Sequence, residues 1–277
     1  MRIVLLTMVT MVAFAANSIL CRLALGEATI DAASFSALRL LSGALTLWLL
    51  VTLRRGPTTL GGSWTSATYL FLYAVPFSFA YESLATGTGA LILFGAVQAT
   101  MLLAAVLSGE RPGWLQWLGL ITALGGLVYL VLPGVSAPDP LGSALMTVAG
   151  VCWGFYSLRG RAATDALGDT AGNFARSLPL VALVSAASLS DMRVEAAGAM
   201  LAVASGALAS GVGYAIWYAA LRDLTASVAA TVQLSVPVIA AVGGVIFMSE
   251  AVTLRLAIAS GLILGGVALA LLSRRSA

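Results

Sequence analysis

The side chains able to do chemistry in this 277-residue chain are rings and amides set inside apolar runs. Tyr73, Phe77 and Tyr81 recur every fourth position, and Tyr214 and Tyr218 do the same with Trp217 between them. That spacing puts each set on one face of a helix. Such a stripe either packs on a neighbouring helix or offers a ring-lined surface to a ligand. Phe94, Trp153 and Tyr156 lie in similar runs, as do the amides of Asn17, Gln98 and Gln233 and the hydroxyl of Ser235. An amide left unpaired in such surroundings costs about 2–7 kcal/mol, so each must meet a helix neighbour, water or a solute. The chemistry this points to is recognition of a small amphipathic solute. Bond-making chemistry lacks its parts. With no His in the chain, Ser-His and HExxH arrangements are excluded. There is also no dense acidic cluster for two-metal work and no Walker motif, so neither an enzyme, nor a cofactor, nor a metal site, nor ATP drive is expected.

The elements that must hold these groups are membrane helices. The chain is 60% hydrophobic and 9% charged, with a mean hydropathy of +1.02, against about 25% charge in soluble domains. Ten apolar runs follow one another at about 3–21, 34–53, 64–81, 87–108, 114–132, 141–158, 172–190, 196–218, 226–248 and 254–272. Their continuity argues for a helical bundle over a β-barrel, whose strands would alternate. The first run is a retained span rather than a signal peptide, since nine comparable ones follow. Cys21 and Cys152 sit in apolar runs, away from any plausible structural disulfide. The Pro-rich stretch Pro133–Pro140 is the one loop that reads as a joint. It divides the chain into halves of five spans, 1–134 and 139–277.

The halves are related. Leu84–Leu132 matches Leu224–Leu272 at a displacement of 140 positions without a gap, pairing Glu110 with Glu250 and Gly125-Gly126 with Gly265-Gly266. Only seven of the 49 aligned residues are identical, so the duplication rests on run lengths, the polar corner and the paired glycines. Connections on the N-terminal side hold nine Arg and the other side three, Arg22, Arg193 and Arg255. Arg-rich short loops stay cytoplasmic, which puts both termini inside. The net charge of +3 is therefore topology information and not a nucleic-acid footprint. Five spans per half then force the second half to start on the opposite side from the first. The expected fold is all-α, ten transmembrane helices in two inverted-topology repeats, an arrangement recurrent in secondary transporters.

Three charged residues stand apart. Arg39 and Arg176 match in the repeat, each near a span end. Each is either a snorkelling interfacial residue or a gate at a cavity mouth. Glu82, near the outer side, is the remaining candidate for coupling to an ion. Glu110 and Glu250 read as structural, beside the start of a helix where a carboxylate is favourable.

The chain resembles the drug/metabolite transporter superfamily in its ten-span, EamA-type form. The likeness is carried by LATGTGALILFGAVQATMLLAAVLSGERP, by its repeat partner LTASVAATVQLSVPVIAAVGGVIFMSEAVT with Pro237 and Glu250, by the tails LGLITALGGLVYL and SGLILGGVALAL, and by Trp153-Gly154-Phe155-Tyr156. It departs where such proteins usually carry a span-four proline, here Val97 followed by Gln98, and where the first span usually carries Trp-Gly, here Ala13-Phe14-Ala15-Ala16-Asn17. The resemblance implies a cavity lined by spans one, three, four, six, eight and nine, with five and ten peripheral. Many relatives export amino acids or other metabolites from bacterial cells, and one branch exports aromatic amino acids.

Put together, these readings expect a multi-pass protein of the bacterial inner membrane that exports or exchanges hydrophobic or aromatic amino acids by alternating access. The alternatives are an exporter of other amphipathic metabolites or drugs, and a channel or structural membrane protein. Asn17, Tyr73, Phe77, Tyr81, Phe94, Gln98, Trp153, Tyr156, Tyr214, Trp217, Tyr218, Gln233, Ser235 and Pro237 are the expected solute contacts, with Arg39, Glu82 and Arg176 as gating or coupling residues. Pro237 frees a backbone carbonyl for a solute or merely kinks its helix. With no buried midplane acid, gradient-driven facilitation or exchange is favoured over a proton relay. The partners are the lipid bilayer and the solute, with no nucleic acid. The protein is expected as a monomer, or as a homodimer through the glycine-rich peripheral spans.

Overall fold

The computed structural model describes residues 2–55, 60–107, 109, 113–134, 137–161, 163–221, 224 and 232–272. Among these the chain forms ten helices: α1 (Arg2–Gly26), α2 (Ala32–Arg55), α3 (Trp64–Ala80), α4 (Thr86–Leu107), α5 (Trp114–Val131), α6 (Pro140–Arg161), α7 (Ala166–Ala187), α8, α9 (Ser235–Met248) and α10 (Leu254–Leu272). α8 runs through three windings, α-helical Ala196–Ala204, π-helical Ser205–Val212 and α-helical Gly213–Leu221. Glu110, which figures in the repeat, and Arg111, Arg222, Arg274 and Arg275, four of the nine Arg counted on the N-terminal side, lie outside the described residues.

Helix ends fall where local chemistry can satisfy the orphan backbone groups. Ser63 caps α3 by accepting the Ser66 amide at 3.1 Å, and Asp165 caps α7 through the Gly168 amide at 3.2 Å. Asp139 accepts the Gly142 amide at 2.6 Å while Pro140 opens α6, a position where a missing N–H costs nothing. The Asp165 cap explains why α7 begins at Ala166 and not at 172: the polar turns before Asn173 are helical because they face other protein.

Among the described residues six segments, in α1, α2, α4, α5, α6 and α8, are long and apolar enough to cross a membrane by themselves, where ten spans were expected. α3 has 17 residues, about 26 Å at 1.5 Å per residue against a hydrocarbon core of about 30 Å. α9 is shorter, and the first half of α7 carries Asp169, Asn173 and Arg176. These helices lean on neighbours. α3 packs on α6 and α7, and α7 packs on α2. Large apolar residues such as Leu5, Met8, Leu45, Leu183 and Ile246 are exposed around the outside, and Trp64 and Trp114 stand at the starts of α3 and α5, as aromatic residues do at a bilayer interface. The molecule has the all-α architecture of a multi-pass membrane protein.

The main helix pairs are α5 with α10, α2 with α7, α4 with α9, α3 with α6, α1 with α8, α4 with α6, α1 with α9, α2 with α8 and α3 with α7. Exchanging each helix with the one five places on returns this set: α5–α10, α2–α7 and α4–α9 map onto themselves and the other six pairs onto one another. The loops sort onto two faces. At the upper face the α1–α2 turn meets the segment before α8 through the Ile30–Val194 bridge, Arg22 meets Glu250 after α9, and Ser83 meets Asp139 before α6. At the lower face the segment before α3 and the first turn of α3 meet the end of α6 and the start of α7. Thus α1 ends, and α6 begins, at the upper face.

α5 and α10 approach closely through glycine. A Cβ on Gly126 would sit 2.7 Å from Leu262 Cβ, and one on Gly119 would strike the Gly266 carbonyl. These glycines are therefore spent inside the molecule and are not free for a second copy, whereas Gly125 faces open space.

Candidate functional site

Five helices converge on a central ring cluster. Phe14 of α1 makes edge contacts with Trp153, Tyr214 and Trp217 at 6.3, 5.7 and 5.8 Å between centroids. Trp153 lies 4.8 Å from Tyr73 and 5.3 Å from Tyr214. The cluster encloses a void of about 10 Å³ lined by Phe14, Asn17, Ser18, Tyr73, Phe77, Leu93, Phe94, Trp153 and Tyr214. That is room for about one water-sized centre, so the void is shut against any organic solute in this conformation.

The polar wall of the void is organised by the π-wound part of α8. In this winding the i→i+5 hydrogen bond sets residues five apart one turn from each other, and Ser205 and Ser210 both donate to Asn17 Oδ1, at 2.8 and 3.2 Å. Ser210 Oγ in turn accepts from Arg39 Nε at 3.4 Å, and Arg39 Nη2 donates to the Tyr73 hydroxyl at 2.8 Å. The guanidinium lies 5.1 Å from the Tyr73 ring centre and 4.8 Å from that of Phe77, within cation–π range. Arg39 is 1% exposed. It neither snorkels nor stands at a mouth: α2 buries it behind the void, because Ser210 and Tyr73 supply acceptors there.

Below the void lies a cleft of about 640 Å³, lined by residues that include Ser63, Ser66, Tyr156, Arg159, Asn173 and Tyr218. This is the size range of small-molecule sites. Trp153 above and Tyr156 below stack at 5.5 Å, and Tyr214 and Tyr218 stand one turn apart on α8, one in each compartment. One aromatic layer thus separates void from cleft. Around the cleft, Arg159 donates to Ser66 Oγ at 2.9 Å, Asp169 accepts the Gly62 amide at 2.8 Å and Asn173 accepts the Ser63 amide at 2.9 Å. Arg176 donates to the Gly61 carbonyl, so it pins the segment before α3.

The upper face is closed by side chains brought together from α1, the start of α4 and the segment after α9, with two carbonyls of the α3–α4 loop. Glu250 accepts the Thr86 amide with both oxygens, at 3.0 and 2.9 Å, and the Thr86 hydroxyl at 3.1 Å. Arg22 Nε lies 3.6 Å from Glu250, and Arg22 Nη1 donates to the carbonyls of Tyr81 and Glu82 at 2.9 and 3.0 Å. Ser249, left-handed at φ 54°, ends α9 and turns Glu250 back over Gly244, whose missing Cβ leaves room for the carboxylate. Beside this closure Asp31 accepts the Ser34 and Arg193 amides at 2.8 and 3.0 Å. Partial burial opposes its charge, but these bonds outweigh it and hold the carboxyl below its usual range. Glu82 titrates above the usual carboxylate range, through partial burial and the nearby charge of Asp31.

Of the expected contacts, Asn17, Tyr73, Phe77, Phe94, Trp153 and Tyr214 line the void, and Tyr156 and Tyr218 line the lower cleft. Tyr81 is buried above, edge-on to Phe77 at 4.8 Å, with its hydroxyl on the Thr86 carbonyl at 3.3 Å. Trp217 packs on Phe14. Gln98 is buried in α4, and Gln98 and Gln233 each have an interaction within the protein, but neither lines the void. Ser235 bonds the Val232 carbonyl at 2.7 Å. Pro237 instead lines an apolar cleft of about 360 Å³ between α4, α9 and α10, so α9 contributes nothing to the void wall. Phe14, Ser18, Ser205, Ser210, Arg22 and Glu250 were missed. Phe14 and Glu250 had a sequence signal, Phe14 in the first-span stretch Ala13–Asn17 where such proteins usually carry Trp-Gly, and Glu250 as the repeat partner of Glu110.

Residues 1–132 and 140–272 each match the EamA-like transporter family. An uncharacterized protein of Pseudomonas aeruginosa is 53% identical over 274 residues, which span 99% of this chain and 96% of that one. The threonine/homoserine exporter RhtA of Escherichia coli K12 is 31% identical over 193 residues, 67% of this chain and 59% of the exporter. A solved crystal structure at 22% identity shares the fold with a TM-score of 0.67 over 96% of this chain and 97% of the other.

Proposed function

Since the chain belongs to the EamA-like transporter family, we propose that it is a secondary transporter of small amphipathic metabolites, foremost hydrophobic and aromatic amino acids, working by alternating access in the bacterial inner membrane. The observation that carries this is the asymmetric closure. A ring- and amide-walled void is sealed above by Arg22, Thr86 and Glu250, and parted from a wide lower cleft by one aromatic layer. A substrate path with one side shut and the other nearly open is what alternating access needs, and a channel would need both sides open together.

The duplicated family match and the exchange-related helix pairs support two repeats, 1–134 and 139–277, that swap roles between an upper-closed and a lower-closed form. Arg2, Arg54, Arg159 and Arg161 belong to segments at the lower face, which supports a cytoplasmic lower face with both termini inside. The solute site consists of Asn17, Tyr73, Phe77, Phe94, Trp153 and Tyr214, with Tyr156 and Tyr218 on the way in. The amino-acid class is supported by likeness to an exporter named for threonine and homoserine; the preference for apolar side chains rests on the rings alone. Transport runs by facilitation or exchange.

A competition screen in proteoliposomes tests the reading. Unlabelled leucine, phenylalanine, tryptophan, threonine and homoserine are set against labelled phenylalanine, and the aromatic and branched members should compete best. Threonine and homoserine outcompeting them would move the specificity, and no saturable uptake of any would refute an amino-acid transporter.

A further inference from the structure

Where Arg39 lies behind the Asn17 and Tyr73 side of the void, the polar groups left over are donors. Asn17 Oδ1 is occupied by two serine hydroxyls, which leaves the amide's N–H groups. The Tyr73 oxygen accepts from Arg39, which leaves its own O–H to give. Ser210 Oγ accepts from Arg39 and donates to Asn17, and is spent. Arg39 Nη1 has no hydrogen-bond partner among the described residues. The guanidinium is always charged and carries five N–H donors, and among the described residues it makes no ion pair. A buried cation without a counter-charge is expensive, and a sequence that keeps one behind its central void needs a reason for it.

We propose that Arg39, together with the Tyr73 hydroxyl and the Asn17 amide, is the receptor for the carboxylate of the transported solute, the apolar part of which lies against Phe14, Trp153 and Tyr214. This rests on the transport function proposed above and specifies what its site selects: a carboxylate, which can accept from all three donors at once. The rings opposite offer faces for an apolar side chain and, through their quadrupoles, tolerate an ammonium group. In the present conformation the void is too small to admit the solute, so the carboxylate stabilises a widened form of the same wall.

The test uses four matched solutes with the full-length protein in proteoliposomes and in thermal melts: L-phenylalanine, L-phenylalaninamide, phenethylamine and 3-phenylpropionate. The two carboxylates should be taken up and should raise the melting temperature, and the two solutes lacking one should bind at least about tenfold more weakly. Arg39→Gln should weaken the carboxylates by about tenfold to a hundredfold, the range of a lost hydrogen bond to a charged partner, and should erase the discrimination between acid and amide. Arg39→Lys should restore part of it. Tyr73→Phe, which keeps the ring and removes one donor, gives the same comparison with a smaller loss should Arg39→Gln not fold. Equal handling of phenylalanine and its amide by the wild type, or discrimination surviving in Arg39→Gln, overturns the receptor while leaving a transporter. Uptake of 3-phenylpropionate without any amino acid supports the receptor and refutes the amino-acid reading. No response to any of the four overturns both.

Discussion

Replacing Glu250 with Gln should open the upper face without unfolding the protein. The carboxylate holds Thr86 at the start of α4 through a forked bond from the amide and a second from the hydroxyl, and lies 3.6 Å from Arg22. The amide of Gln keeps one acceptor and loses the charge. A hydrogen bond to a charged acceptor is worth about 1.5–3 kcal/mol against about 0.5–1.5 for a neutral one, the mostly buried ion pair adds at least as much as an exposed one, about 0.2–1 kcal/mol, and a carboxylate at a helix N-terminus about 0.3–1 kcal/mol. The combined loss is about 2 kcal/mol, so the ratio of upper-closed to upper-open molecules should fall by about thirtyfold. The assay follows the reaction of Ser18→Cys, on the void wall, with a membrane-impermeant maleimide added at the upper face, Cys21 and Cys152 having been replaced by Ala. The labelling rate should rise by about the same factor. Arg22→Gln should raise it less, and the double variant should give less than the product of the two. An unchanged rate in Glu250→Gln, with the melting temperature preserved, would refute the claim that this contact holds the upper side shut.

Three further outcomes follow from the packing and the loops. Trp153→Ala removes the ring between void and cleft, which should cost about 3–5 kcal/mol of stability and raise the KM for a ring-bearing solute more than for threonine, read by melts and uptake. Gly126→Leu drives a side chain into Leu262 and Ile263 of α10 and should lower the melting temperature by an equivalent of about 1–3 kcal/mol, whereas Gly125→Leu, facing open space, should leave it unchanged. Asp31 titrates below its ordinary 3.8, so its contribution is present at neutral pH and is lost as pH falls through the lowered value. Wild-type melting temperature should therefore fall more steeply below about pH 4 than that of Asp31→Asn.

The ten helices were legible because each contains an apolar run bounded by Gly, Pro or polar residues, although among the described residues only six of those runs are long enough to span by themselves. The start of α7 was not, because Asp165 and Asp169 look like loop until Asp165 is seen to cap the helix at the Gly168 amide and Asp169 to accept the Gly62 amide. The rings of the void wall could be named from type and spacing, but their sorting could not: Tyr73 and Tyr81 share a stripe, yet one faces the void and the other the Thr86 carbonyl. Arg39 was illegible for a deeper reason. An arginine seven residues into a helix reads as interfacial, and only the π winding of α8, which no residue type announces in SGALASGV, brings Ser210 to its Nε. The Arg22–Glu250 contact joins residues from opposite ends of the chain, and nothing local to either foretells it. Pro237 shows the converse error, a residue of suggestive type turned by its helix toward α10.

The most direct test of alternating access is counterflow. Proteoliposomes loaded with unlabelled L-phenylalanine and diluted into a trace of the labelled compound should accumulate label above equilibrium and then lose it, because a single site exposed to one side at a time must exchange. Saturable overshoot, weakened by Trp153→Ala, is the predicted result. Monotonic equilibration that does not depend on internal phenylalanine would mean that both sides open together, and would contradict the account.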